Sequence, residues 1–165
     1  MVYIRKIEEF AWRRPHFYDS DIYSDLKTSE HELSVWCYND GNEDARNKAL
    51  LAMIMSRSEF KDLFYVELTD RDLQRCNFSL NAKEGNTQFA KYKNLHRNIE
   101  VKTLLGLAVL AWVVKRKISR GKIKHMEPEE EMELFKSYAD PSEMSLEELN
   151  FKGYKRLFKE KNNIK

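Results

Sequence analysis

The residues with most chemistry to offer crowd into the first quarter of the chain. Between positions 13 and 36 stand Arg13, Arg14, His16, Asp21, Asp25, Lys27 and Ser34, with Trp12 and Trp36 at either end. An arginine holds a phosphate or carboxylate through two parallel hydrogen bonds, and convergent polar groups between aromatic walls suit a ligand pocket. Arg13, Arg14 and Ser34 are therefore the first candidates for a catalytic set. His96, in the polar run Asn94-Leu95-His96-Arg97-Asn98 just ahead of a long apolar stretch, is a fourth. Near a helix N-terminus its imidazole could meet an anion or a transferable proton. His31 stands beside Glu32, but neighbours on a strand face opposite ways, so the pair does not predict a metal site. Asp21, Asp25 and Lys27 have the residue types of a magnesium nuclease without a spacing that gathers carboxylates round a cation. No metal is expected.

A second kind of chemistry lies in two basic stretches. Lys115, Arg116, Lys117, Arg120, Lys122 and Lys124 form one, and Lys152, Lys155, Arg156, Lys159 and Lys161 the other. Together they could follow a phosphate backbone, with an affinity that falls as salt rises. Alternatively the five glutamates between 127 and 133 pair with them in the fold, and this is the preferred expectation. Lys115, Arg116, Lys117, Arg120, Lys155, Arg156 and Lys159 are the candidate contacts for a protein partner or nucleic acid. No Gly-rich phosphate loop, Gly-x-Ser-x-Gly or His-Glu-x-x-His occurs in the chain, which sets aside the common nucleotide hydrolases, serine hydrolases and zinc proteases.

The whole chain restricts the classes further. With 165 residues, 42% hydrophobic and 34% charged, it has enough apolar material for one domain with a real core. The 29 basic and 27 acidic side chains nearly cancel, so any attraction for a polyanion must come from a local patch. Cys37 and Cys76 are far apart and lack metal-finger spacing, which points to a reducing cytoplasm. The charged first ten residues do not read as a secretory signal. The apolar run from Leu104 to Val114 is about half the length that spans a bilayer. No membrane association is expected.

These residues must be positioned by a mixed set of elements. Glu32 to Tyr38 alternates as a half-buried strand, and Leu63 to Leu68 is dense enough in aromatic and branched residues for an inner strand. Residues 2 to 10 suit a first strand or a short helix, and 95 to 101 a further short strand. Asn39-Asp40-Gly41-Asn42 is turn chemistry, and Glu43 and Asp44 suit the start of a helix running to about Ser56. The segment from Lys102 to Ser119 is apolar on every side at its centre, so it predicts a helix central to the core, ended near Gly121. Pro128 opens a helix to about Tyr138, and Ser145 with Glu148 predicts a capping box for a last helix to about Lys161. The class is α+β: a small central sheet packed on helices, with a body over 1–122 and an all-helical extension over 123–165, packed on the body or projecting from it.

An Arg on one segment followed by the aliphatic-Ser-aliphatic strand Leu33-Ser34-Val35 resembles the polar scaffold of the ADP-ribosyltransferases. That resemblance implies NAD as cosubstrate, Arg13 or Arg14 and Ser34 to position it, and a glutamate, Glu67 or Glu100, acting on the ribose. In size and in its Lys- and Asn-rich ends the chain also resembles small proteins of bacterial toxin–antitoxin and phage-defence operons. The reading preferred from sequence is a cytoplasmic accessory protein that acts through a protein partner, with the charge-banded tail as contact surface and no cofactor. The NAD- or nucleotide-acting enzyme is the alternative, and a nucleic-acid-binding protein the third.

Overall fold

Val2, Ile4 and Tyr3, Ile7 alternate along the first strand so that both of its faces are apolar, and the strand accordingly lies inside the sheet, paired on both edges. The computed structural model describes residues 1–8, 12, 19–26, 32–75, 78–101 and 103–164, apart from the side chains of 19–21 and 75. The strands are β1 (Val2–Ile7), β2 (Glu32–Tyr38), β3 (Leu63–Thr69), β4 (Ser79–Ala82), β5 (His96–Glu100) and β6 (Ile123–Met126). They form one antiparallel sheet in the order β4-β5-β2-β1-β3-β6. Ile4 stands between Trp36 of β2 and Glu67 of β3, which fixes the register across the centre. The helices are α1 (Asp19–Leu26), α2 (Glu43–Ile54), α3 (Asp70–Arg75), α4 (Leu104–Ser119), α5 (Pro128–Tyr138) and α6 (Lys152–Asn162), with a 3-10 turn at Ala90–Leu95.

Strand alternation sends two apolar sets to opposite faces. On one face Val2, Ile4, Trp36, Tyr38, Leu63 and Tyr65 meet α2, the 3-10 turn, α5 and α6. On the other Tyr3, Ile7, Leu33, Val35, Cys37, Val66 and Ile99 meet α1, α4 and Trp12. The result is the α+β class expected, with helices on both sides of an antiparallel sheet.

Residues 123–164 join this body closely. Strand β6 pairs with β3, and Phe135, Tyr154 and Phe158 are buried in the first core. The Tyr154 hydroxyl donates to the Ile54 carbonyl at 3.0 Å. Glu131, with no exposed surface, accepts from Arg57 and from the Lys61 amide, which ties α5 to the segment after α2. Strand β6 carries little sequence signal, because an edge strand buries only part of each side chain.

Two local outcomes differ from the sequence expectation. The capping-box bonds between Ser145 and Glu148 both form, yet the last helix begins only at Lys152. The Gln88 side-chain oxygen accepts from the amides of Asn150 and Phe151, the donors a helix continuing from Ser145 would have used internally. Helix α4 is not enclosed all round. It lies flat on one sheet face and buries Leu110, Ala111, Val113 and Val114, while Leu104, Leu105 and Trp112 remain 85%, 75% and 57% exposed.

Candidate binding cleft and the helix face beside it

Helix α4 and the turn after it position a convergent set of charged groups. Thr103 caps its start, its Oγ1 accepting from the Gly106 amide at 3.0 Å. Its other end is closed by Gly121 at φ +66°, with the Gly121 amide donating to the Ile118 carbonyl and the Lys122 amide to the Lys117 carbonyl. This left-handed reversal is what glycine supplies at low cost. It places Arg120 and Lys122 on either side of a tight turn, just before β6.

Between that turn and the ends of β1, β2 and β3 lies a cleft of about 310 Å³. Trp112, Arg116 and Lys117 line it from α4, Arg120, Lys122 and Lys124 from the turn and β6, Tyr38, Glu67 and Thr69 from the strands, Asp40 from the turn after β2, and Asp72 from α3. Of its three carboxylates, Glu67 and Asp72 are held by cations, and Asp40 accepts from the Gly41 amide at 3.0 Å. Glu67 accepts from Arg46 Nε at 3.1 Å and Lys124 Nζ at 2.6 Å, and also from the Tyr38 hydroxyl. Burial alone would raise the Glu67 pKa, but these donors outweigh it and hold the group below its ordinary value. Asp72 pairs with Lys117 at 2.6 Å and takes the Thr69 amide and hydroxyl; again burial is outweighed and the acid is held ionised. Arg116, Arg120 and Lys122 have no carboxylate partner among the described residues, and the Arg116 guanidinium lies 5.2 Å over the Trp112 ring.

The residues singled out from sequence divide unevenly over the fold. Arg13, Arg14, His16, Lys27 and His31 lie outside the described residues. Ser34 is exposed on β2 opposite Asn98, on the sheet face that also carries Glu32 and Glu100. Glu32 accepts from Asn98 and Lys83, and Glu100 from Ser79, so both acids have partners. Glu67 is on the far side of β1 from Ser34. His96 is 7% exposed, edge-on to Trp36, and donates from Nδ1 to the Lys83 carbonyl at 2.9 Å. Burial lowers its pKa, as for an imidazole that stays neutral in a core. Gly85 lies against the same pair, where a Cβ would come within 2.4 Å of Trp36 and 2.8 Å of His96.

Asp25 is a structural group: it accepts from Trp12 Nε1 at 2.6 Å and from the Glu8 amide at 3.2 Å. Among the described residues no group of three or more His, Cys, Asp or Glu side chains is placed to hold a metal ion. Of the glutamates between 127 and 133, Glu131 goes to Arg57, Glu133 to Lys136 and Glu130 to the Glu127 amide. From the basic stretches, Lys117 pairs with Asp72, Lys124 with Glu67 and Arg156 with Glu160, none of them among those glutamates. Arg116, Lys117 and Arg120 meet at the cleft, whereas Lys155, Arg156 and Lys159 belong to α6, with Arg156 3.5 Å from Glu160.

Sequence reasoning missed Trp112, Tyr38, Glu67 and Asp72 as neighbours of these cations. The available signal was the four-residue spacing of Trp112, Arg116 and Arg120, which stacks them along one side of a helix. The same ridge runs back through Ala108 to Leu104, so the uncovered apolar face leads directly into the basic cleft. No helix among the described residues is long and apolar enough to cross a membrane. Comparison with protein-family models, curated proteins and solved structures finds no match.

Proposed function

We propose that the protein is a cytoplasmic binding protein that acts through a protein partner, seated on the uncovered face of α4. The observation that supports this reading is the exposure of Leu104, Leu105 and Trp112 on a single helix that has apolar residues all round. A leucine gains about 1.5–3 kcal/mol on full burial, and most of that gain is still available at Leu104 and Leu105. Tryptophan is among the residue types that dominate interface energies. The apolar face ends at Arg116, Arg120 and Lys122, so the complementary surface is apolar with acidic groups at one end.

The reading moves the contact surface away from the tail, since α5 and α6 turn their apolar residues into the core. It extends to a place in a bacterial toxin–antitoxin or phage-defence operon, where the product of an adjacent gene is the first partner to test. Purified wild-type protein and the double variant Leu104→Glu, Leu105→Glu would each be mixed with that product and sized by light scattering after gel filtration. A stoichiometric complex formed by wild type and lost in the variant is expected. A complex that survives the double substitution, self-association of the free chain, or adsorption to lipid vesicles in place of a protein would overturn the proposal.

A further inference from the structure

Among the described residues, Arg116, Arg120 and Lys122 converge at one cleft beside an exposed tryptophan, and the partner reading takes them only as the charged end of the apolar face, without accounting for their convergence in a concave site. We infer that this cleft binds a nucleotide unit, its phosphate held by Arg116, Arg120 and Lys122 and its base laid against Trp112.

Three observations and one rule of phosphate recognition lead there. Of the three carboxylates that line the cleft, Glu67 and Asp72 already hold Lys124 and Lys117, and Asp40, which accepts from the Gly41 amide, forms no ion pair with the three cations among the described residues. Compensation of the helix dipole accounts for cations in the last turn, but Lys122 stands beyond the end of α4. Guanidinium forks match phosphate oxygens in pairs, and a lysine adds a point charge. The Trp112 ring, 57% exposed at the rim, offers the flat apolar surface on which bases stack, and Arg116 at 5.2 Å joins the phosphate pole to the ring.

Size and shape choose a single unit. A volume of about 310 Å³ is at the small end for ligand sites and admits one nucleotide. A duplex is read by a protruding helix or ribbon entering a groove, which a concave site does not provide. Both surfaces include Trp112, but the leucines of the partner face begin twelve residues before Arg116, about 18 Å along the helix, so the leucine pair and the Arg120–Lys122 pair can be changed separately.

The experiment is calorimetric titration of the full chain with ADP, pyrophosphate, adenosine and a six-nucleotide thymidine strand at two salt concentrations. Saturable ADP binding that weakens as salt rises is expected, tighter than pyrophosphate and tighter than adenosine. Arg120→Ala and Lys122→Ala should each weaken it about tenfold, the loss of one charged hydrogen bond. Trp112→Ala should reduce ADP to the level of pyrophosphate, while Lys136→Ala on α5 changes nothing. Circular dichroism of each variant separates lost binding from lost folding. Tighter binding of the strand than of ADP assigns the unit to single-stranded nucleic acid, and ADP binding without strand binding assigns a free nucleotide. Absence of saturable binding by both, equal binding of pyrophosphate and ADP, or full affinity in the Arg120→Ala, Lys122→Ala double variant would overturn the inference.

Discussion

Leucine-to-alanine substitution at three positions of α4 should give two opposite results within one helix. Leu110 has no exposed surface, and truncating such a leucine costs about 2–5 kcal/mol through lost transfer energy and the cavity left behind. Leu104 and Leu105 are 85% and 75% exposed. Scaling full burial by the fraction buried leaves about 0.2–0.5 kcal/mol at Leu104 and about 0.4–0.8 kcal/mol at Leu105. Alanine's slightly better helix propensity offsets part of even that. In a chain of this size each kcal/mol moves the thermal midpoint by about 2–4 °C, so Leu110→Ala should lower it by about 4–20 °C and Leu104→Ala by about 2 °C at most. Urea unfolding followed by far-ultraviolet circular dichroism, with unchanged slope, would give the free energies. If Leu104→Ala or Leu105→Ala costs as much as Leu110→Ala, the helix is enclosed in the free protein and the proposed partner has no surface to occupy.

Other substitutions probe what surrounds the cleft and the sheet. Gly85→Ala forces a Cβ into Trp36 and His96 and should cost about 1–3 kcal/mol in a urea melt, although alanine is small. Glu131→Ala leaves the Arg57 guanidinium, 10% exposed, without its partner and should cost about 3–5 kcal/mol, whereas Arg156→Ala on the surface of α6 should leave the midpoint unchanged. Glu67 and Asp72 are both held below their ordinary values of 4.5 and 3.8. The unfolded chain therefore binds more protons in that range, and the stabilisation is present above it and lost as pH falls through the depressed values. Glu67→Gln should flatten the stability profile below about pH 5, and an unchanged acid limb would show that the Arg46 and Lys124 contacts do not hold that carboxylate.

Much of the frame was legible because local chemistry and burial agree. Strands β2 and β3, helices α2 and α5, and the end of α4 at Gly121 all follow from alternation, caps and turn residues within a few positions. Less legible was whatever depends on distant residues. Gln88 delays α6 from a position 62 residues before Asn150, and β6 exists only because β3 offers it an edge. The apolar run of α4 predicted burial on every side, yet periodicity cannot say how many layers cover a helix. The basic residues of α4 were picked out from sequence, but their cleft is made with Glu67 and Asp72, which only the sheet topology brings near. His96 has the chemistry of a site residue, but its ring packs against Trp36 and Gly85 inside the fold.

The most direct measurement is hydrogen exchange across α4 in the free chain and in complex with the partner that wild type retains and the Leu104→Glu, Leu105→Glu variant loses. Slower exchange confined to 104–116, with α6 unchanged, is the expected result. Protection at α6 instead, or none along α4, would place the partner elsewhere and contradict the assignment of this face.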